Sequence, residues 1–309
     1  MTRLLFSARP GLWAHWQAPL GRALATAGVT ADLVAEAAPE TVDYIAWAPG
    51  GVTDFAPFTR LGAVFGLWAG VERIAPNPTL TVPLTGRVDP GLTGGMRDYV
   101  VGQVMRHHLG RDAHIRGREG VGGGGAIPPL ARDRTVGVLG LGALGSAAAG
   151  ALARLGFRVL GWARSPKALP EVTSHHGRSG LDLVLRQSEI LVLLLPLTPA
   201  TEGLLNAERL GRLPQGAILV NPGRGALIDD TALLAALDAG RIGHATLDVF
   251  RTEPLPPDHP FWAHPRVTVT PHIASETRPE TASAVIADNL RRAVAGAPLL
   301  HLVDRAAGY

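Results

Sequence analysis

Three segments of the sequence each set one polar side chain just past the carboxyl end of an apolar run. They are Val220-Asn221-Pro222-Gly223-Arg224-Gly225, Leu247-Asp248-Val249-Phe250-Arg251-Thr252-Glu253, and Thr270-Pro271-His272-Ile273-Ala274. Arg224 offers a planar guanidinium that can grip a carboxylate through two parallel hydrogen bonds and polarise a carbonyl beside it. His272 offers a proton near neutral pH, and Glu253 a carboxylate able to orient the imidazole and raise its pKa. A cation, an acid and a carboxylate that keeps the acid protonated are what reduction of a 2-keto acid needs. Taken singly, an Arg after a strand is ordinarily a surface charge, a His before Ile-Ala a structural one, and Glu253 beside Pro254 a turn. Their order and shared setting make them a set.

A second constellation lies upstream. The run Val136 to Leu139 leads into Gly140-Leu141-Gly142-Ala143-Leu144-Gly145 and then an alanine-rich stretch of helical character. Gly140 permits a tight turn, Gly142 lets backbone amides approach a pyrophosphate, and Gly145 lets the helix pack closely on the strand. The helix N-terminus, at Ala143 and Leu144, adds free N–H groups and partial positive charge. At the end of the next run, Arg158 to Trp162, an NAD enzyme carries an Asp or Glu for the ribose 2′-hydroxyl. Here the sequence reads Gly161-Trp162-Ala163-Arg164-Ser165-Pro166-Lys167. Without a carboxylate to repel a 2′-phosphate, and with Arg164, Ser165 and Lys167 to bind one, the expectation is NADP(H) in preference to NAD(H). The plain alternative makes Arg164 and Lys167 solvated loop charges. The chain has no cysteine, so it holds no thiolate or disulfide, and redox chemistry needs a borrowed cofactor.

The elements that must position these groups follow from the pattern of apolar runs. Strands are expected at Arg3–Ala8, Tyr44–Ala48, Ala63–Leu67, Thr135–Gly140, Arg158–Trp162, Ile190–Leu195, Ala217–Asn221, Ala245–Val249 and Val267–Thr270. Most are continuous apolar runs, the sign of strands buried on both faces, and helical stretches such as Ser146–Leu155 and Asp230–Ala239 alternate with them. The class is α/β, with parallel sheets covered by helices. A length of 309 residues suits two domains at roughly 100 to 200 residues each. Gly120–Pro129 reads as a flexible loop or linker. The balance of 29 basic and 26 acidic residues, with Lys167 the only lysine, leaves no basic stripe for nucleic acid. No apolar stretch approaches the ~20 residues that span a bilayer, and Met1–Gly11 lacks a signal-peptide core, so a soluble cytoplasmic protein is expected. The pairs His107-His108 and His175-His176 have no metal-ligand spacing, and no metal is expected.

At this point the sequence resembles the D-isomer-specific 2-hydroxyacid dehydrogenases, most nearly their glyoxylate/hydroxypyruvate reductases. The resemblance rests on Phe65 to Glu72 (FGLWAGVE), the glycine motif followed by WARS, LLPLTPAT at Leu194 to Thr201, NPGRG, DVFRTEPLP, TPHIASETRP and the ending Val303 to Tyr309. It implies two doubly wound, Rossmann-like or flavodoxin-like domains. The substrate-binding one is discontinuous, residues 1–94 plus 273–309, and the dinucleotide-binding one is residues 95–272. It implies Arg224, Glu253 and His272 as the catalytic three. Pro196, Thr201, Asn221 and Gly223 would line the cofactor cleft, with Asp248 or its neighbours facing the nicotinamide carboxamide. Ala69, Gly70 and Val71 would give backbone N–H groups to the substrate carboxylate.

Two positions depart from the family pattern. Trp68 stands where glycine is usual, and Pro222 where a small non-proline residue is usual. Trp68 and Trp47 are candidates for the substrate pocket wall, with packing as the plain alternative for each. The helical stretch Gly95–Leu109 would link the domains and join a homodimer interface. The function implied is NADPH-dependent reduction of a small 2-keto acid, glyoxylate to glycolate or hydroxypyruvate to glycerate. Its rivals are a same-fold dehydrogenase for another 2-hydroxy acid and a regulatory protein that senses NAD(P) without turnover.

Overall fold

Two parallel sheets organise the chain, and the successive side chains of their central strands point to opposite faces and are buried on both. The computed structural model describes residues 1–112 and 127–308 and divides into two units, Met1–Leu92 with Thr277–Tyr309, and Thr93–Glu276. Of the stretch Gly120–Pro129, only Ile127 to Pro129 lie among the described residues.

In the first unit, β1 (Thr2–Ser7), β2 (Ala31–Val34), β3 (Tyr44–Trp47), β4 (Ala63–Gly66) and β5 (Leu84–Thr85) form a five-stranded sheet in the order β2-β1-β3-β4-β5. All pairings are parallel, with Leu4, Leu5 and Phe6 opposite Tyr44, Ile45 and Ala46. Leu4, Phe6, Ala46 and Phe65 point to one face and pack with Trp16, Leu20 and Leu24 of helix α1 (Trp13–Thr26). Leu5, Ile45, Trp47 and Val64 point to the other face, against Phe55, Phe58, Val71 and Ile74. Each Leu, Ile, Val or Phe among them taken fully from water contributes about 1.5–3 kcal/mol of transfer free energy.

Helix α2 (Pro90–His108) carries the chain into the middle unit. There β6 (Thr135–Leu139), β7 (Arg158–Ala163), β8 (Thr173–His176), β9 (Ile190–Leu193), β10 (Ala217–Asn221), β11 (Ile242–Leu247) and β12 (Val267–Val269) make a seven-stranded sheet. Its order is β12-β11-β10-β9-β6-β7-β8, again wholly parallel. Strand order therefore reverses direction between β6 and β9, the switch point at whose carboxyl ends open α/β sheets bind ligands. Val136, Val138, Ile190 and Val220 face Ala148 and Leu152 of α3 (Ala143–Arg154) and Val100 and Val104 of α2. Leu139, Leu191 and Leu219 face Val184 and Leu185 of α4 (Gly177–Gln187), with Leu210 of the short α5 (Ala207–Leu210) and Leu233 and Leu237 of α6 (Asp230–Asp238) on the same side. After the last strand, α7 (Pro279–Val294) returns to the first unit, where Ile286 and Leu290 enter the cluster around α1 and Arg22 bonds Glu280.

The doubly wound α/β class and the discontinuous first unit agree with the expectation from sequence. Both boundaries differ: the first falls at Leu92/Thr93 and not at 94/95, and the second, set by the turn after β12, at Glu276/Thr277 and not at 272/273. The reason is local: the N–H groups of Ile273 and Ala274 bond to the Asp248 carboxylate and Ala274 enters the β6–α3 cluster, which ties the turn after β12 to the middle unit. No helix among the described residues is long and apolar enough to cross a membrane.

Candidate active site

The carboxyl end of β6 is shaped by its glycines. Gly140 has φ +105°, and a Cβ there would lie 2.4 Å from the Leu194 carbonyl oxygen. A Cβ on Gly145 would lie 1.7 Å from the Gly140 carbonyl oxygen, so neither position admits a side chain. At Gly142, the N-cap of α3, the space is open, with nothing within 4 Å of a Cβ. The Ser146 N–H bonds back to the Gly142 carbonyl, while the N–H groups of Ala143 and Leu144 belong to the first turn, which has no intrahelical acceptors. A helix N-terminus with exposed Gly142 and Ala143, at the switch point of the sheet, fits the pyrophosphate of a dinucleotide.

Past the end of β7, Arg164, Ser165 and Lys167 are exposed, and no acidic residue stands among them. Trp162, the one aromatic residue in this strand, donates its indole N–H to the Gly177 carbonyl at 2.8 Å. After β9, the Thr201 hydroxyl bonds the Pro196 carbonyl at 2.7 Å and accepts from the Thr198 N–H at 2.8 Å, so Thr201 builds the turn in which Pro196 sits.

At the end of β10, fully buried Asn221 accepts from the Gly223 N–H at 3.1 Å and donates to the Arg224 carbonyl at 2.9 Å. This clamp fixes the backbone on both sides of Pro222 and Gly223 and holds Arg224, whose guanidinium also donates to the Gly223 carbonyl at 2.7 Å. A Cβ on the next residue, Gly225, would lie 2.0 Å from the Phe250 carbonyl carbon. That close approach locks the Arg224 turn against the loop that carries Glu253. Gly225 has no role that sequence alone assigns; its one signal there is to be the glycine that follows Arg224 in NPGRG.

Glu253 receives the Phe250 N–H on Oε1 at 3.0 Å and pairs with His272 Nδ1 through Oε2 at 2.8 Å. Glu253 therefore holds one imidazole nitrogen and leaves Nε2, on a half-exposed ring, as the one open to a reactant. The hydrogen bond to Glu253 is foremost in raising the His272 pKa above its ordinary value; burial works against it, the charges of Glu253 and Asp248 add to it, and Arg224 opposes it. For Glu253 burial pushes upward, but the hydrogen bonds from His272 and Phe250 and the positive charges of His272 and Arg224 outweigh it, leaving the carboxyl below the usual range.

His272 itself sits at φ +54°, in the left-handed region that side-chain-bearing residues seldom adopt. Asp248 maintains it there. Its backbone carbonyl accepts the His272 N–H at 2.9 Å, and its carboxylate accepts the Thr270 hydroxyl at 2.5 Å and the N–H groups of Ile273 at 3.0 Å and Ala274 at 2.8 Å. The Tyr99 hydroxyl of α2 in turn bonds Thr270 at 2.8 Å. The resemblance points Asp248 or its neighbours at a nicotinamide carboxamide; in the structure the Asp248 side chain is 0% exposed and bonded to the His272 turn. Neither Thr270 nor Tyr99 stands out in the sequence, because their link to His272 runs through tertiary hydrogen bonds alone.

In the first unit, the residues Ala69, Gly70 and Val71 follow β4. Their backbone N–H groups make no hydrogen bond among the described residues, while the Val71 carbonyl accepts from Ile74 and Ala75 at 3.0 and 2.8 Å. Trp68 is half-buried against the cluster that contains Phe65. Trp47 is a packing residue. Its ring is 6% exposed in the opposite core, and its N–H donates to the Val52 carbonyl at 2.8 Å, which leaves it almost no surface for a pocket wall.

A family model for the D-isomer specific 2-hydroxyacid dehydrogenase NAD-binding domain matches residues 102–274. The chain belongs to the D-isomer-specific 2-hydroxyacid dehydrogenases. The dehydrogenase is 42% identical to a D-isomer specific 2-hydroxyacid dehydrogenase of Xanthobacter autotrophicus Py2 solved with NADPH and MES, over 100% of this chain and 99% of that one, with a TM-score of 0.91. It is 33% identical to an NADPH-dependent glyoxylate/hydroxypyruvate reductase of Sinorhizobium meliloti solved with NADP and sulfate, over 100% of each chain, with a TM-score of 0.85. To a probable 2-hydroxyacid dehydrogenase of Rhizobium etli CFN 42 solved with NADP, HEPES and tartaric acid it is 32% identical over 100% of each chain, TM-score 0.86. The middle unit of the dehydrogenase is thus an NAD(P)-binding domain, and its seven-stranded sheet carries the His272–Glu253 pair.

Proposed function

We propose that the protein reduces small 2-keto acids with NADPH, glyoxylate to glycolate and hydroxypyruvate to glycerate. The observation that carries this reading is the His272–Glu253 pair at 2.8 Å, an imidazole whose pKa its carboxylate partner raises and which lies within the field of Arg224. NADPH, when bound, supplies the hydride that the carbonyl carbon receives. Arg224 grips the substrate carboxylate with its planar fork and polarises the carbonyl. His272 Nε2 gives its proton to the oxygen on which negative charge develops, and Glu253 stabilises the imidazolium until that moment. In the first unit, Ala69, Gly70 and Val71 offer backbone N–H donors to a substrate carboxylate.

On this reading the first turn of α3, from Gly142 through Leu144, holds the pyrophosphate, with Gly140 and Gly145 shaping its approach. Pro196, Thr201, Asn221 and Gly223 line the cofactor cleft. Arg164, Ser165 and Lys167 hold the 2′-phosphate, the reason for assigning NADP(H) over NAD(H). The named relatives that were solved with NADPH or NADP support that choice. The protein would act in the cytoplasm as a homodimer, on a small molecule and with neither nucleic acid nor membrane.

Initial rates for a panel of small 2-keto acids, with NADPH and NADH side by side, test the assignment. Preferred turnover of glyoxylate or hydroxypyruvate with NADPH is expected. Preference for a bulkier keto acid refutes the substrate assignment in favour of another dehydrogenase of this fold. NADPH binding with no turnover on any keto acid makes the protein a dinucleotide sensor.

A further inference from the structure

Arg305 takes no part in the chemistry above, yet its guanidinium ties the C-terminal segment to the loop that follows Val71. Its Nε donates to the Ala75 carbonyl at 2.8 Å, one terminal nitrogen to the Asn77 carbonyl at 2.7 Å, and the other to the Leu80 carbonyl. The stem is fixed from both sides. Before it, Val303 pairs with Leu84 and the His301 carbonyl accepts the Gly86 N–H, extending the β5 edge; after it, the Ala306 and Ala307 N–H groups fold back on Asp304.

The gripped segment is a chain of turns with a donor end and an acceptor end. At its start stand the open N–H groups of Ala69, Gly70 and Val71. Ile74 and Ala75 then bond back to Val71, Asn77 to Ile74 and Leu80 to Asn77. Val71, Ile74, Ala75 and Leu80 are buried in the apolar cluster on one face of the sheet, so the segment moves as one packed piece. At its far end three carbonyls converge on Arg305. A guanidinium has five donors in a fixed plane, so three acceptors held by one fork are fixed in position relative to one another.

We propose that Arg305 is a positioning residue for substrate binding: by pinning the carbonyl end of the 69–80 segment, it keeps the N–H groups at its amino end aimed for a carboxylate. The inference rests on the reading that those N–H groups bind the keto acid. Donors that must be ordered at the moment of binding weaken it, whereas donors ordered beforehand do not. Loss of Arg305 therefore falls on the keto acid and not on the dinucleotide.

The test uses the full-length protein with Arg305→Ala and Arg305→Lys. For Arg305→Ala the KM for glyoxylate should rise about tenfold while kcat changes less than about threefold and the Kd for NADPH stays as in wild type. Arg305→Lys should recover part of the loss, since one ammonium reaches some but not all of the three carbonyls. Hydrogen–deuterium exchange should quicken in residues 71–80 and remain unchanged in the middle unit. A lowered melting temperature with unaltered glyoxylate KM in both variants would overturn the proposal and make Arg305 structural alone. If Arg305→Ala does not fold, the lysine variant decides: a raised KM supports the proposal and an unaltered one overturns it. A wild-type protein without keto-acid turnover overturns the underlying reading, whereas wild-type turnover with unaltered variants overturns this inference only.

Discussion

Glu253→Gln keeps the size of the side chain that meets His272 Nδ1 at 2.8 Å and removes its charge. Two unit charges about 4 Å apart attract by about 1 kcal/mol in bulk water and about 4 kcal/mol at an effective dielectric constant near 20. With the His272 side chain 54% exposed and that of Glu253 34%, the pair lies nearer the wetter limit. The variant therefore loses an attraction of about 1.5 to 2.5 kcal/mol between these partly solvated charges. The direction follows from the sign of the missing charge. Glu253 raises the His272 pKa, so the glutamine variant loses its proton at lower pH. Keto-acid reduction needs the protonated ring, and the falling limb of kcat/KM against pH therefore moves downward. Initial rates of glyoxylate reduction, followed by loss of NADPH absorbance across the pH range, measure it, with NADPH affinity as the control. A limb that stays in place, or moves upward, refutes the assignment of Glu253 as the partner that raises the His272 pKa.

Arg224→Lys should lose kcat/KM by about tenfold or more, close to the loss in Arg224→Ala, because one ammonium cannot form two parallel charge-assisted bonds worth about 1.5–3 kcal/mol each; near-native rates in the lysine variant contradict the role. Arg164→Ala should weaken NADPH about tenfold or more and leave NADH unchanged, as fluorescence titration of both cofactors would show. Trp68→Gly should cost about 2 kcal/mol in thermal unfolding, since the indole is half-buried, and should raise kcat/KM for phenylpyruvate relative to glyoxylate. An unchanged ratio of the two substrates would assign Trp68 to packing alone.

The central strands were legible because they are apolar on both faces, and Ala217–Asn221 was placed to the residue. Three edge strands were not. β2 contains Asp32, which pairs with Arg3, β5 has only two residues between Pro83 and Gly86, and β8 reads Thr-Ser-His-His. A strand at the edge of the order has a single strand neighbour, so its sequence need not form a long apolar run. Helix α2 begins at Pro90 and not at Gly95 because the Asp89 carboxylate accepts the N–H groups of Gly91 and Leu92, a cap that outweighs the nearby glycines. At the candidate site, Arg224, Glu253 and His272 could be named from their chemistry and order. The Asp248 clasp on the His272 turn, the Gly225–Phe250 contact and the reach of Arg305 to Ala75 join residues distant in sequence or depend on backbone geometry, and no local pattern signals them.

The discontinuity of the first unit has a consequence for how the chain acquires its structure during synthesis. The middle unit, Thr93–Glu276, is contiguous and emerges from the ribosome with every strand of its sheet in hand. The five strands of the first unit emerge earlier, but the α1 face of their sheet is covered in part by Ile286 and Leu290 of α7, made after the middle unit. Leu4, Phe6 and Phe65 thus wait with an incompletely covered surface through the whole translation of the middle unit, about 10 to 40 s at roughly 5–20 residues per second. The earliest-made sheet is in this way the last to be completed, and the interval is one in which a nascent chain has exposed apolar surface for a chaperone to shield.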